Sequence, residues 1–154
     1  MPTVEAHASV PHPPETAFEF FRRPHLVLAI SDPAVGASLA EAPEVLRTGD
    51  RMRIELMAFG TVQKVVYEAA VDEASLTVTE TLVEGPLKAW THEHRFTAEG
   101  ADTLVSDAVT FEPPGGLAGL LMTAGKIADQ LEDGLAYRNA RLADAIATFA
   151  AGRA

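Results

Sequence analysis

The middle of the chain is a succession of strand-like segments, and one long helical segment follows it. From Gly36 to Glu112 the apolar pattern and the spacing of turn residues predict antiparallel strands at about 36–41, 45–58, 61–71, 76–83, 88–97 and 103–112. The predicted breaks are Thr48-Gly49-Asp50, Phe59-Gly60, Asp72-Glu73, Glu84-Gly85-Pro86 and Glu99-Gly100-Ala101-Asp102. Because a sheet with one apolar face must be covered, this run restricts the chain to a sheet packed against its own helices.

A strand and two short helices are predicted before this run. Thr3–Val10 alternates polar and apolar residues, as a half-buried strand does. Pro14 suits the first turn of a helix, because its missing N–H would be unpaired there. The residues after Pro14 have the apolar face of a helix, and Pro24 ends this first helix. Leu26 to Ile30 is a second short apolar run, which we interpret as a second helix.

The segment Leu117–Phe149 is predicted to be a long amphipathic helix that covers the sheet. Gly125 is expected to separate a short lid-like piece, Leu117–Ala124, from the main helix. The predicted fold is therefore α+β, with a curved antiparallel sheet of six to seven strands wrapped around the long C-terminal helix. Because only 6% of the residues are aromatic, we expect an incompletely filled hollow between sheet and helix. The helix stripe consists of Ile127, Leu131, Leu135, Leu142, Ile146 and Phe149.

Length, charge and cysteine content narrow the classes of function. The 154 residues suit a single domain over 1–154, and the net charge of −10 disfavours nucleic acid and anionic membrane surfaces as partners. The absence of cysteine excludes disulfides, a thiol nucleophile and thiolate metal sites. The longest apolar stretch, around Leu117–Met122, is too short to span a bilayer. No signal-like segment follows Met1, so we expect a cytoplasmic location.

Polar residues interrupt the apolar face of two neighbouring strands. Side chains alternate along a strand, so His92 and His94 share the face that Trp90 and Phe96 identify as buried. A two-residue turn at Gly100-Ala101 pairs Glu99 with Asp102 and makes the two apolar faces coincide, which a one-residue slip would destroy. The predicted pairs are His94 with Asp107, His92 with Val109, Trp90 with Phe111 and Phe96 with Val105.

A fourth polar residue, Glu80, lies on the apolar face of the preceding strand. A turn centred on Gly85-Pro86 brings Glu80 near Trp90 or near His92, depending on the length of the loop. Glu80, His92, His94 and Asp107 then form one inward-facing polar patch, which is compatible with structural pairing, ligand contact, catalysis or metal binding. Two histidines near acids can bind zinc, but we predict neither a metal site nor a cofactor from this spacing.

The order of elements and several short motifs resemble the START-like superfamily, also called SRPBCC. The motif Pro13-Pro14-Glu15-Thr16-Ala17-Phe18-Glu19-Phe20-Phe21 enters the first helix in the same way. The strand Gly85-Pro86 … Trp90-Thr91-His92-Glu93-His94-Arg95-Phe96, Asp107 and the Tyr137-Arg138 pair resemble a bacterial subgroup. The superfamily includes polyketide cyclases/dehydrases and birch-pollen-allergen-like proteins. The resemblance implies a helix-grip fold with a cavity for a hydrophobic small molecule, but not a particular reaction.

These observations support three hypotheses of function, the first of which is binding of a lipid-like or polyketide-like molecule. The second is a cyclase/dehydratase-like or lyase-like enzyme in which His94, polarised by Asp107, acts as acid or base. The third is a co-chaperone-like interaction module with a collapsed cavity; a homodimer is also possible. Tyr137 either reaches the cavity or packs along its helix, and Arg138 either neutralises a buried acid or lies in solvent. The predicted ligand-binding residues are Met52, Leu56, Tyr67, Glu80, Trp90, His92, His94, Phe96, Asp107, Leu121 and Tyr137, with Ile54, Val65, Val78 and Leu117 as further lining candidates.

Overall fold

The computed structural model describes residues 1–58 and 60–153, so Phe59 of the predicted turn and Ala154 of the predicted domain lie outside the described residues. Within these ranges the strands are β1 (Thr3–Val10), β2 (Ser38–Glu41), β3 (Arg51–Ala58), β4 (Thr61–Asp72), β5 (Thr77–Glu84), β6 (Ala89–Glu99) and β7 (Asp102–Glu112). The helices are α1 (Pro14–Phe21), α2 (Pro24–Ala29), α3 (Gly116–Leu121) and α4 (Ala124–Arg153). Pro33–Val35 adds one short turn of 3-10 helix.

The strands in the described part of the chain form one antiparallel sheet in the order β1-β7-β6-β5-β4-β3-β2. From β2 to β7, strands that follow each other along the chain are neighbours in the sheet, and β1 pairs with β7. The long helix α4 packs against β1 and α1. This arrangement confirms the predicted α+β class, with two short helices after the first strand and a long C-terminal helix.

The strand predicted at 45–58 begins later, at Arg51. The Arg47 N–H donates to Asp50 Oδ2 at 2.8 Å, and the Asp50 N–H donates to the Arg47 carbonyl at 3.0 Å, so a turn precedes β3. The Leu46 N–H donates to the carbonyl of Arg22 at 2.7 Å, and its side chain is fully buried. Leu46 therefore packs in the core near the end of α1 instead of extending the sheet.

The break in the C-terminal helical segment lies at Met122-Thr123 and not at Gly125, which is part of α4. The carbonyl of Thr123 accepts the Ile127 N–H at 3.0 Å, and its Oγ1 accepts the Lys126 N–H at 3.3 Å. Thr123 thus caps α4, because its side chain satisfies a backbone donor that a helix start leaves unpaired. The predicted lid-like piece is the separate short helix α3.

The core lies between the sheet and the helices α1 and α4. One cluster joins Phe20 and Phe21 of α1 to Leu142 and Ile146 of α4 and to the inner faces of the strands. A second cluster joins β1 and β7 to the first half of α4 through Val4, Val109, Phe111, Ile127 and Leu135. Among the described residues, no helix combines the length and the apolar character that crossing a membrane requires.

Candidate functional site

The β6–β7 hairpin has the register that the sequence predicts. Glu99 pairs with Asp102 across a two-residue turn, and Gly100 takes the positive φ of 60° that such a turn favours. This pairing places His94 opposite Asp107 on the inner face of the sheet. All four predicted pairs are confirmed: His94–Asp107, His92–Val109, Trp90–Phe111 and Phe96–Val105.

Glu80 of β5 lies opposite His92 of β6, which decides between the two pairings that the sequence leaves open. The β5–β6 register and the β6–β7 register together bring Glu80, His92, His94 and Asp107 to one place on three adjacent strands. Arg138 of α4 reaches the same place from the other side of the core. We call these five residues the polar cluster.

Asp107 is the centre of the polar cluster. Its Oδ1 accepts hydrogen bonds from His92 Nε2 at 2.8 Å, His94 Nδ1 at 2.7 Å and Arg138 Nη1 at 2.9 Å. Its Oδ2 accepts a further bond from Arg138 Nη2, so the guanidinium binds the carboxylate through both oxygens. Asp107 is 1% exposed and Arg138 is 4% exposed. Of the two predictions for Arg138, the neutralisation of a buried acid is confirmed.

The charges in the polar cluster follow from burial and from these contacts. Burial raises the pKa of Asp107, but hydrogen bonds from His92, His94 and Arg138 hold this pKa well below its ordinary value. Burial lowers the pKa of His94, but the carboxylates of Asp107 and Glu80 outweigh it and raise this pKa to about 9. Burial likewise raises the pKa of Glu80, but His94 and His92 bring it below the ordinary value. Asp107 and Glu80 are therefore anions, and His94 without a metal ion is a cation.

His92 differs from His94 because it has a neutral ring. Burial and the nearby charge of His94 lower the pKa of His92, more than the carboxylates raise it. The Nε2–H of His92 donates to Asp107, so Nδ1 has the free lone pair. This nitrogen has no hydrogen-bond partner among the described residues. Every fully buried side-chain nitrogen or oxygen of these residues has a partner, so Nδ1 is not fully buried. Nδ1 is therefore accessible from the cavity that His92 lines.

The polar cluster forms part of the wall of a cavity of about 300 Å³ between the sheet and the helices α2 and α4. Four of its members line this cavity, namely Glu80, His92, His94 and Arg138. The other lining residues are mainly apolar and include Phe21, Val27, Leu28, Met52, Ile54, Leu56, Tyr67, Trp90, Leu131 and Leu135. A second cavity of about 170 Å³ shares Leu56, Tyr67, Trp90 and Leu131 with the first.

The structure places seven of the eleven predicted ligand-binding residues on the wall of the larger cavity: Met52, Leu56, Tyr67, Glu80, Trp90, His92 and His94. Phe96 and Asp107 are buried behind this wall. Tyr137 is not among the residues that line either described cavity, and its ring stacks against the guanidinium of Arg141. Leu121 lies on α3 with 65% of its surface exposed.

Of the four further lining candidates, two line a cavity and two do not. Ile54 lines the larger cavity and Val65 the smaller one, whereas Val78 is completely buried and Leu117 is 81% exposed. The exposure of Leu117 and Leu121 has one cause, since α3 stands apart from the main helix and does not continue its apolar stripe.

Arg138 is the member of the polar cluster for which the sequence allows two interpretations, although the sequence contains a signal that favours one of them. It lies three residues after Leu135 and four before Leu142, so it falls within the apolar stripe of α4. A cation on a buried stripe requires a buried anion, and Asp107 is the buried anion of the predicted sheet face. The contribution of α2 through Val27 and Leu28 had no comparable signal.

Comparisons with known proteins show the fold. No protein-family model matches this chain, and no curated protein matches it. The solved structure of TTHA0849 from Thermus thermophilus is 21% identical and matches 91% of this chain and 96% of that chain with a TM-score of 0.68. Major latex-like protein 151 from Panax ginseng is 22% identical over 91% and 96%, with a TM-score of 0.63. Ms6760 from Mycobacterium smegmatis is 17% identical over 96% and 92%, with a TM-score of 0.66. These similarities confirm the helix-grip fold that the resemblance implied.

Proposed function

We propose that this chain binds a hydrophobic small molecule in the larger cavity, with a polar end of the molecule against the polar cluster. The observation that supports this proposal is a cavity of about 300 Å³ with a mainly apolar wall and a few convergent polar groups. Small-molecule sites have this composition, because apolar surface supplies affinity and a few polar groups fix the orientation. The apolar body of the ligand would contact Met52, Ile54 and Leu56.

The polar end of the ligand would meet hydrogen-bond acceptors. His92 offers the lone pair of Nδ1, and the carboxylate of Glu80 lines the same wall. Arg138 is engaged by Asp107 and by Asn139, so its guanidinium is largely committed within the protein. A hydroxyl group on an apolar skeleton fits this wall better than a carboxylate, because a hydroxyl can donate a hydrogen bond to His92 Nδ1 or to Glu80, whereas a carboxylate only accepts.

The other two hypotheses have less support from this geometry. In the enzyme hypothesis His94 exchanges a proton with substrate, but here Nδ1 faces Asp107 and Nε2 faces Glu80. The interaction-module hypothesis requires a filled interior, which an open cavity does not favour. A cytoplasmic location and a homodimer stay predictions.

Filling the cavity tests the proposal. Leu56 lines both cavities, so Leu56→Trp places a larger side chain where the ligand would lie. We expect it to weaken the binding of an apolar naphthylamine fluorophore by at least about tenfold, or about 1.4 kcal/mol. Fluorescence titration measures this affinity, and native mass spectrometry of the purified protein identifies any molecule that copurifies.

Leu117→Trp is the matched control, because it makes the same substitution on the exposed surface of α3. This variant should bind the fluorophore as the unmodified chain does. Equal loss of binding in the two variants, or no binding by the unmodified chain, would overturn the proposal.

A further inference from the structure

We propose that Glu80, His92 and His94 form a binding site for one divalent transition-metal ion of the zinc type. One ligand atom from each of these residues lies within 4.8 Å of the other two. Two imidazole nitrogens and one carboxylate oxygen form a donor set that Zn²⁺ and related ions accept. The three residues come from two adjacent strands whose register is fixed, so the rigid sheet holds the donors in place.

The distance between Glu80 and His94 fits a shared ion. Glu80 Oε2 lies 3.5 Å from His94 Nε2, which is longer than the roughly 2.7–3.2 Å of an ordinary N–H···O hydrogen bond. Two ligand atoms at about 2.0–2.2 Å from one tetrahedral ion are separated by about 3.4 Å. The gap therefore has the width that an ion between the two atoms requires.

The contacts behind the two histidines orient them as metal ligands. His94 Nδ1 and His92 Nε2 both bond to Asp107 Oδ1, so an ion would bind at the lone pair of His92 Nδ1 and at His94 Nε2, whose proton it would displace to solvent. Metal-binding histidines commonly use their second nitrogen in this way, since a carboxylate partner fixes the ring and increases its basicity. Arg138 in turn holds the carboxylate of Asp107 through both oxygens.

The charges of the site permit a divalent ion, and the site opens to the cavity. Two carboxylates, of Glu80 and Asp107, face the guanidinium of Arg138 and the imidazolium of His94, so an ion that takes the place of the proton on His94 Nε2 keeps both carboxylates paired with cations. All three proposed ligands line the larger cavity. Three protein ligands leave at least one position of a zinc-type ion open. If the proposed ligand-binding function holds, this position would take an oxygen atom from the polar end of an apolar molecule.

Titration of the metal-free chain with Zn²⁺ tests the site. Calorimetry measures the stoichiometry, and the absorption of bound Co²⁺ reports the coordination geometry. We expect one ion per chain. Glu80→Gln and His92→Ala should each weaken Zn²⁺ binding by more than about tenfold. His7→Ala is the matched control, because His7 lies exposed on β1 outside the polar cluster, and it should bind as the unmodified chain does.

Circular dichroism establishes that each variant is folded, and Glu80→Gln keeps the test decisive if His92→Ala fails to fold. Absence of one-to-one Zn²⁺ binding by the unmodified chain would overturn the inference. So would unchanged affinity in Glu80→Gln, or equal loss in His7→Ala. The fluorophore titration of metal-free protein is an independent test. A chain that binds the fluorophore but fails to bind Zn²⁺ overturns only the metal site, and a chain that binds Zn²⁺ but fails to bind the fluorophore overturns only the proposed function.

Discussion

Asp107→Ala is expected to lower the free energy of unfolding by about 3–5 kcal/mol. The substitution removes the acceptor for His92, His94 and Arg138 together. Arg138 is 4% exposed, so water offers its guanidinium little compensation. It would be left as a buried cation without its anion, which is the costly consequence of breaking one side of a buried ion pair. Urea denaturation followed by circular dichroism measures the loss.

Asp102→Ala is the matched control, because Asp102 begins the same strand but is exposed. We expect it to change the free energy of unfolding by no more than about 0.5 kcal/mol. The double variant Asp107→Ala, Arg138→Met should recover part of the stability lost in Asp107→Ala, because it removes the unpaired cation. A double variant at least as unstable as the sum of the two single variants would contradict this account.

Phe21→Ala is expected to lower the free energy of unfolding by about 3–5 kcal/mol. The Phe21 ring is 1% exposed and lies 4.9 Å from the ring of His94 and 5.0 Å from that of Phe96. The guanidinium carbon of Arg138 lies 5.0 Å from the ring centroid. The substitution removes apolar contacts and a cation–π contact at one place, and the rigid sheet limits how far the surroundings can close around the vacant space. The urea midpoint and the slope of the transition measure this effect.

Phe149→Ala is the comparison for the same change of side chain. Phe149 packs on Phe20 near the end of α4 but is only partly buried. It should cost clearly less stability than Phe21→Ala, because water reaches part of the ring already and less buried contact is lost. Equal losses in the two variants would show that Phe21 has no special place in the packing of the polar cluster.

The sequence predicted the features that depend on local periodicity. Alternation along β6 and β7, together with the two-residue turn at Gly100-Ala101, determined the register and with it the His94–Asp107 pair. This was possible because a slip of one residue would exchange the buried and exposed faces. The predicted start of β3 was wrong because Val45 and Leu46 are as apolar as strand residues, and only the tertiary contact of Leu46 with the end of α1 shows that the chain here does not extend the sheet.

The composition of the cavity wall was harder to predict, because it depends on how the helices lie over the sheet. Tyr137 and Arg138 are neighbours in sequence, yet one turns toward Arg141 and the other toward Asp107. Neighbouring residues on a helix point about 100° apart, so an error of one residue in the orientation of the helix exchanges the two. The part of the cavity wall that α2 forms was hard to predict for a similar reason, because the position of α2 depends on the path of the chain after Pro24.

The single oxygen atom that accepts three hydrogen bonds, Asp107 Oδ1, has a consequence for how this chain can diverge during evolution. A change at Asp107 leaves three hydrogen-bond donors without their acceptor, and a change at Arg138 removes the charge that balances the carboxylate. Because buried polar groups that share one partner have strongly non-additive effects, single steps through these positions pass through unstable intermediates. Related chains should therefore either keep Asp107 and Arg138 together or replace both by apolar residues, while the apolar wall beside them is free to vary and to change the ligand.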